Sequence, residues 1–301
     1  VQPTIVCSYN HTVCISNDKR VYSFGRPVRG VHGHNEELVF PKMISSLKNI
    51  KAVCCADSQT VCLDIEGSVF TFGLNDSGQL GVGKDKYTFY WTYEPQKLDL
   101  PPIKQISCGE KFVFCLSELG ELYSFGNNSY GQLGLGNYTH SISPQKLESL
   151  GDIELVECGY DFTLCKNIQN EIFVWGSNEY GQLGAVNTRY QPTPFKIMNV
   201  PHNIIDIKCG NYHSLVLFST QEVYSFGDNE WGQLGRKDSP TLEKIKTLSE
   251  ITRIECGGSH SMCIDVYGNL YVFGSNEKGQ LGLGKTDDEN NTPIKHPSLS
   301  D

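Results

Sequence analysis

Residues 279–286 read GQLGLGKT, which fits GxxxxGK[ST], a pattern whose backbone amides cradle a phosphate while its lysine reaches it. That chemistry needs the glycine loop to leave a strand and open a helix, so that the helix amides face the anion. Here the chain continues into DDENNTP, a polar turn ending at Pro293. The same frame recurs as GQLGVGKD at 78–85 and GQLGLGNY at 131–138, neither completing the pattern. The match is a by-product of a repeat, and no nucleotide or other cofactor is expected. Twelve cysteines suggest zinc or redox chemistry, yet no CxxC occurs anywhere in the chain. No carboxylate pair or nucleophile–base arrangement stands out either, so no catalytic residues and no enzyme activity are expected. One further cluster is the run YTFYWTY at 87–93, in which five of seven side chains are aromatic. Those rings belong to a core or wait for a partner, and the elements that carry them decide which.

The chain has 301 residues, 39% hydrophobic and 20% charged, an ordinary globular composition with enough length for a large core. A net charge of −9 disfavours nucleic acid and anionic membranes as partners. No apolar run approaches the roughly 18 residues of a membrane span, and no signal-peptide pattern opens the chain. A cytoplasmic location is expected, with a nuclear one open. The first residue is Val1 rather than Met, as expected of a domain taken from a longer protein.

An internal period organises these residues. An aromatic-Gly pair recurs with its glycine at Gly25, Gly73, Gly126, Gly176, Gly227 and Gly274, 48, 53, 50, 51 and 47 residues apart. Five residues after each stands another glycine, which opens GQLG in copies two to six. Copy one is degenerate: Gly30 and Gly33 keep the spacing, with Val31 and His32 between them. A proline comes next in every copy, at Pro41, Pro95, Pro144, Pro194, Pro240 and Pro293. Upstream, cysteines fall at Cys7, Cys55, Cys108, Cys158, Cys209 and Cys256, and again seven residues on, except that Val216 substitutes in copy five. Eleven of twelve cysteines are thus repeat positions, leaving Cys54. They are read as reduced, small apolar residues of tight strands rather than one disulfide per copy.

Each copy reads as short strands: VYSF, VFTF, LYSF, IFVW, VYSF and LYVF carry β-branched and aromatic residues, after Gly- or Asn-bearing turns such as DIEGS and DVYGN. Several strands per copy predict an all-β chain, a single β-propeller over 1–301 with four-stranded antiparallel blades. CGxxH, the aromatic-Gly and N-x-x-GQLG together resemble the repeat of the regulator of chromosome condensation family, over essentially the whole chain. The resemblance implies a propeller, usually of seven blades. Six copies are countable here, so six blades are expected and seven stay open, with a terminal strand around Pro293–Lys295 pairing with the first blade to close the ring.

In such a ring His11, His213 and His260 occupy equivalent positions of neighbouring blades, too far apart to share an ion, so no metal is expected. Equivalent loops before GQLG share one face, which predicts a display of Asp76, Glu179, Asp228, Glu230 and Glu277 with Tyr130, Tyr180 and Trp231. Aromatics amid acids suit a basic protein surface, although these rings also fit as packing between blades. From the last Gly of each motif to the repeat proline named above the chain runs 8, 14, 10, 10, 5 and 11 residues. The longest segment holds Tyr87, Phe89, Tyr90, Trp91 and Tyr93, an elaboration the repeat does not require, and is expected to form a contact surface. The expected function is a non-enzymatic, monomeric scaffold or adaptor domain. The alternative implied by the resemblance is nucleotide exchange on, or binding of, a small Ras-like GTPase, kept open by Arg26, Pro27 and Arg29 of the deviant copy one. A secreted propeller, the third reading, would carry disulfides.

Overall fold

A computed structural model describes residues 5–26, 28–84, 89–184, 187–237, 240–286 and 289–297. Its strands form six four-stranded sheets, each built in chain order from one repeat. The first holds β1 (Ile5–Cys7), β2 (His11–Ile15), β3 (Val21–Gly25) and β4 (Leu38–Met43); the second holds β5 (Ile50–Cys55), β6 (Gln59–Asp64), β7 (Val69–Leu74) and β8 (Trp91–Lys97). The third holds β9 (Ile103–Cys108), β10 (Phe112–Ser117), β11 (Leu122–Gly126) and β12 (Ser141–Lys146); the fourth holds β13 (Ile153–Cys158), β14 (Phe162–Asn167), β15 (Ile172–Ser177) and β16 (Tyr190–Lys196). The fifth holds β17 (Ile204–Cys209), β18 (His213–Phe218), β19 (Val223–Gly227) and β20 (Glu243–Lys244); the sixth holds β21 (Ile251–Cys256), β22 (His260–Asp265), β23 (Leu270–Ser275) and β24 (Glu289–Lys295). One short 3-10 turn, Val28–Gly30, is the only helical element among the described residues. The expected pairing of the terminal strand with the first sheet does not occur among the described residues. β24 runs antiparallel to β23, with Tyr271 opposite Lys295 and Val272 opposite Ile294, because its proline-bearing sequence repeats the fourth strand of the other copies.

Position within a sheet follows from composition. The second strands β6, β10, β14 and β18 are buried along all six residues, Gln59, Thr60, Thr163 and Lys166 included, because each lies between the first and third strands of its sheet. The fourth strands carry the prolines Pro41, Pro95, Pro144, Pro194 and Pro293, which lack the amide a central strand must donate and so sit at the sheet edge.

The chain divides into two compact units, Val1–Cys158 and Gly159–Asp301. In the first, Val13, Val21, Ile50, Val53 and Phe72 fill the space between the first and second sheets, and Val61, Val69, Ile103, Val113 and Phe125 that between the second and third. In the second unit Leu215, Val223, Ile251, Ile254 and Phe273 do the same between the fifth and sixth sheets.

N-x-x-GQLG is a structural fastener. Asn75, Asn128, Asn178, Asn229 and Asn276 each accept, through Oδ1, the amide of the motif leucine at 2.9–3.1 Å. The leucines themselves are at most 1% exposed. The motif Gln turns back, its Oε1 accepting the amide two residues upstream at 2.8–2.9 Å. In the phosphate-like copy the Gly279 and Gly282 amides donate to Asn276 O and Gly279 O, so they are not aimed at an anion.

The histidine slot is equally local. In copies three to six the residue after the motif cysteine is glycine because the ring of Phe112, Phe162, His213 or His260 lies where its Cβ would stand. His213 Nε2 is 2.9 Å from Ser261 Oγ, which itself donates to Gln233 O, so His213 must be the Nε2–H donor. His11 repeats this on Thr60, whose Oγ1 donates to Val31 O. Burial, reinforced by neighbouring His260 and His32 respectively, holds His213 down at about 3 and His11 at about 4.

Ten cysteines are free thiols, and burial pushes Cys62, Cys115, Cys165 and Cys263 far above the ordinary thiol range. The expectation of an all-thiol chain fails at one pair. Cys54, the cysteine outside the repeat, is bonded to Cys108, joining β5 to β9 across a Cα–Cα distance of 6.0 Å. The repeat gave Cys54 no partner because the bond joins a non-repeat position of one sheet to a repeat position of the next.

Candidate functional site

Two departures from the repeat, the deviant copy one and the long segment of copy two, meet on one surface of the first unit. Asn75 fastens both ends of the copy-two segment. Its Nδ2 donates to Lys84 O and Phe89 O, both at 2.9 Å, and its backbone amide donates to Tyr90 O at 2.7 Å. Beyond this clamp Tyr90 and Trp91 are 43% and 41% exposed. Trp91 opens β8, with its ring 6.3 Å from that of Tyr93 and tilted 44° to it. Lys84 lies over the Phe89 ring at 5.0 Å. Copy one closes on this segment from the side: Gly30, at φ +78°, packs so tightly that a Cβ would lie 2.7 Å from Thr92 O. The adjacent Arg29 guanidinium stands over the Tyr90 ring at 5.7 Å, within cation–π range. Tyr93 also lines a hollow of about 310 Å³ with His34, Glu36 and Lys42.

The other residues singled out by sequence are distributed differently. Arg26 is exposed and lines a separate groove of about 590 Å³ with Tyr9, Phe24, Leu38 and Val39, while Val39 and Phe40 are 79% and 78% exposed. Tyr87 and Pro27 lie outside the described residues. Three of the five loop acids already have partners within the chain, Asp76 and Asp228 half-buried and Glu179 exposed. Asp76 binds Lys111 Nζ at 2.8 Å; burial pushes against its charge, yet Lys111, Gln79 and Ser77 hold its carboxyl below the usual range. Glu179 is held low by Arg189 and Tyr190. Asp228 accepts Gln233 Nε2 at 2.8 Å and the Glu230 amide at 3.1 Å. Glu230 and Glu277 are exposed, and Tyr130 and Trp231 are half-buried. Glu179, Glu230 and Glu277 thus reach solvent, whereas Asp76 and Asp228 are drawn partly into the fold by Lys111, Gln79 and Gln233.

The second unit brings Tyr180, singled out by sequence, together with Tyr160 and Tyr212, which sequence reasoning missed. Tyr180 stands 4.6 Å from Tyr212, centroid to centroid, and Tyr160 stands 5.7 Å from Tyr212 on the same cluster. Tyr160 and Tyr180 are 37% and 50% exposed. Tyr160 and Tyr212 come from the short turns between the first and second strands. Those turns are tied by backbone bonds from Tyr160 N to Asn211 O and from Asn211 N to Gly258 O. Beside Tyr160, burial and then the charge of Glu179 push Asp161 up to about 6. The available signal was an aromatic at the x positions of CGxx[HF] in copies four and five.

No helix among the described residues is long and apolar enough to cross a membrane. Comparison with known proteins agrees with the repeat architecture. The family model of the RCC1-like domain matches residues 1–301. The dog X-linked retinitis pigmentosa GTPase regulator is 38% identical over 244 residues, 77% of this chain and 24% of that protein. The human probable E3 ubiquitin-protein ligase HERC6 is 30% identical over 78% of this chain and 24% of its own length. The Arabidopsis thaliana ultraviolet-B receptor UVR8 is 29% identical over 77% and 54%. The chain therefore spans about a quarter to about half of these relatives. Among solved structures, human WBSCR16 superposes with a TM-score of 0.87 at 26% identity, covering 98% of this chain and 81% of that one. With six repeats, six four-stranded sheets and a family match along its whole length, the chain belongs to the RCC1-like domain family and has its β-propeller fold.

Proposed function

We propose that this chain is a non-enzymatic protein-interaction module, a scaffold or adaptor of the cytoplasm or nucleus, that docks a protein partner on the Arg29–Tyr90–Trp91 surface. One observation carries the reading: the two places where the chain departs from its own repeat pack against each other and leave Tyr90 and Trp91 exposed. Half-exposed Trp and Tyr beside an Arg have the composition of interface hot spots. The test is capture of partners by the intact domain, compared with Tyr90→Ala/Trp91→Ala and with a copy-two segment shortened to the ten residues of copies three and four. Loss of capture with an almost unchanged melting temperature supports docking. A loss of several kcal/mol in stability would show that the rings belong to the core.

A second reading is favoured by the relative named as a GTPase regulator, 38% identical to this chain. In it the Arg29 surface engages a small GTPase and accelerates nucleotide release by displacing segments that hold the nucleotide, with no acid–base chemistry. Release from a panel of small GTPases separates the two readings, and acceleration that Arg29→Ala abolishes would replace the scaffold reading.

A further inference from the structure

We propose that Tyr160, Tyr180, Tyr212 and Asp161 form a recognition site for the guanidinium group of an arginine in an extended basic segment of a partner protein. The site lies in the second unit and does not rest on the docking surface above. Three tyrosine rings there form a continuous shelf, with Tyr212 in contact range of both neighbours and the outer two partly open to solvent. Ring faces attract cations, and a planar guanidinium stacks on them with less loss of hydration than an ammonium.

The carboxylates fix the sign of the ligand. Among the described residues, Glu179 is already answered by Arg189, whose Nε lies 2.7 Å from Glu179 Oε1 and whose guanidinium stands 5.3 Å over the Tyr190 ring. The neighbouring pair thus displays the proposed chemistry within the chain. Asp161 has no such answer. It is half-buried next to a like charge, and no donor or cation among the described residues reaches its carboxylate. A fork of N–H donors against that carboxylate, with the guanidinium plane on Tyr180 or Tyr212, satisfies both features together. An anionic ligand would meet the charges of Asp161 and Glu179, and an apolar one would bury Asp161 further. The turns presenting Tyr160 and Tyr212 are tied to one another by the backbone bond from Tyr160 N to Asn211 O, so the shelf is formed before any ligand arrives.

The experiment is an anisotropy titration of the whole chain with a fluorescein-labelled peptide of alternating arginine and glycine. Its control is the same peptide with citrulline, which keeps the shape and removes the charge. Binding of the arginine peptide is expected, with the citrulline peptide at least tenfold weaker. Tyr212→Ala and Asp161→Asn should each weaken the arginine peptide about tenfold, a loss within the range of a partly desolvated cation–π contact or a charge-assisted hydrogen bond. Trp91→Ala should leave it unchanged. Asp161→Asn conserves size, so it tests the site even where Tyr212→Ala perturbs the turn. Equal affinity for both peptides would overturn the proposal. So would absence of binding up to about 1 mM, or wild-type affinity in Asp161→Asn, which would mark mere attraction to a chain of net charge −9.

Discussion

Replacing His213 by phenylalanine should remove most of one buried histidine's acid sensitivity. The slot accepts the ring, since Phe112 and Phe162 occupy it in copies three and four. His213 is fully buried, donates through Nε2 to Ser261, and finds no partner for Nδ1 among the described residues, so its second proton has nowhere favourable to go. Its folded pKa, about 3, lies below the ordinary 6.5. A depressed value means that the stability it contributes is present above 6.5 and is lost as pH falls toward 3. At pH 5, about 1.5 pH units below the unfolded value, that loss is about 2 kcal/mol, and it is nearly the same for a folded pKa of 3 or 4. At pH 7.5 the variant loses only the bond to Ser261, whose hydroxyl keeps Gln233 O, a cost of about 1 kcal/mol partly offset by the apolar ring. Melting curves at pH 7.5 and pH 5.0 read the difference. The drop in Tm between these conditions should be smaller in His213→Phe than in the wild type by about 4 °C, at roughly 2 °C per kcal/mol for a chain of this size. Equal drops in the two proteins would show that His213 accepts its proton in the folded state and would refute the reasoning.

Gly30→Ala should destabilise the chain by more than about 1 kcal/mol, because it adds strain at positive φ and a clash with Thr92 O, and it should weaken partner capture by lifting Arg29 off Tyr90; Tm and capture measured together check this. Thiol titration of the denatured, unreduced chain should give ten thiols, and twelve after reduction, a result of twelve throughout being incompatible with the Cys54–Cys108 bond. Asp161→Asn should stabilise the unliganded chain at pH 7.5. The folded pKa of Asp161, about 6, is above the ordinary 3.8, so its contribution to stability is present below 3.8 and lost as pH rises through 6. Discounted for solvent screening, the gain is about 1 kcal/mol and should vanish near pH 4.

The architecture was legible because the repeats write nearly the same instructions: the aromatic-Gly third strand appears in all six copies, the GQLG turn in copies two to six, and a proline-bearing edge strand in every copy but the fifth. The copy-two rings were also readable as an elaboration, since five sister segments do without them. The hidden features depend on pairings between copies, which a repeat cannot encode. The approach of Arg29 to Tyr90, the bond from Cys54 to Cys108, and the meeting of Tyr160, Tyr180 and Tyr212 each join non-equivalent positions of different sheets. The loop acids escape a sequence reading for a related reason. Composition reveals a charge, but only geometry reveals whether Gln79, Gln233, Lys111 or Arg189 has already claimed it.

The Asn-x-x-Gly-Gln-Leu fastener has a consequence for how such chains diversify. The bonds common to all five copies come from the Asn and Gln side chains or from the backbone, and the second intervening residue contributes to them only its amide. The two intervening side chains are therefore interchangeable parts, and one backbone here carries Asp-Ser, Ser-Tyr, Glu-Tyr, Glu-Trp and Glu-Lys. Transplanting one pair into another copy should rewrite the surface chemistry of a single loop without renegotiating the fold, which makes the scaffold a natural platform for grafted specificity.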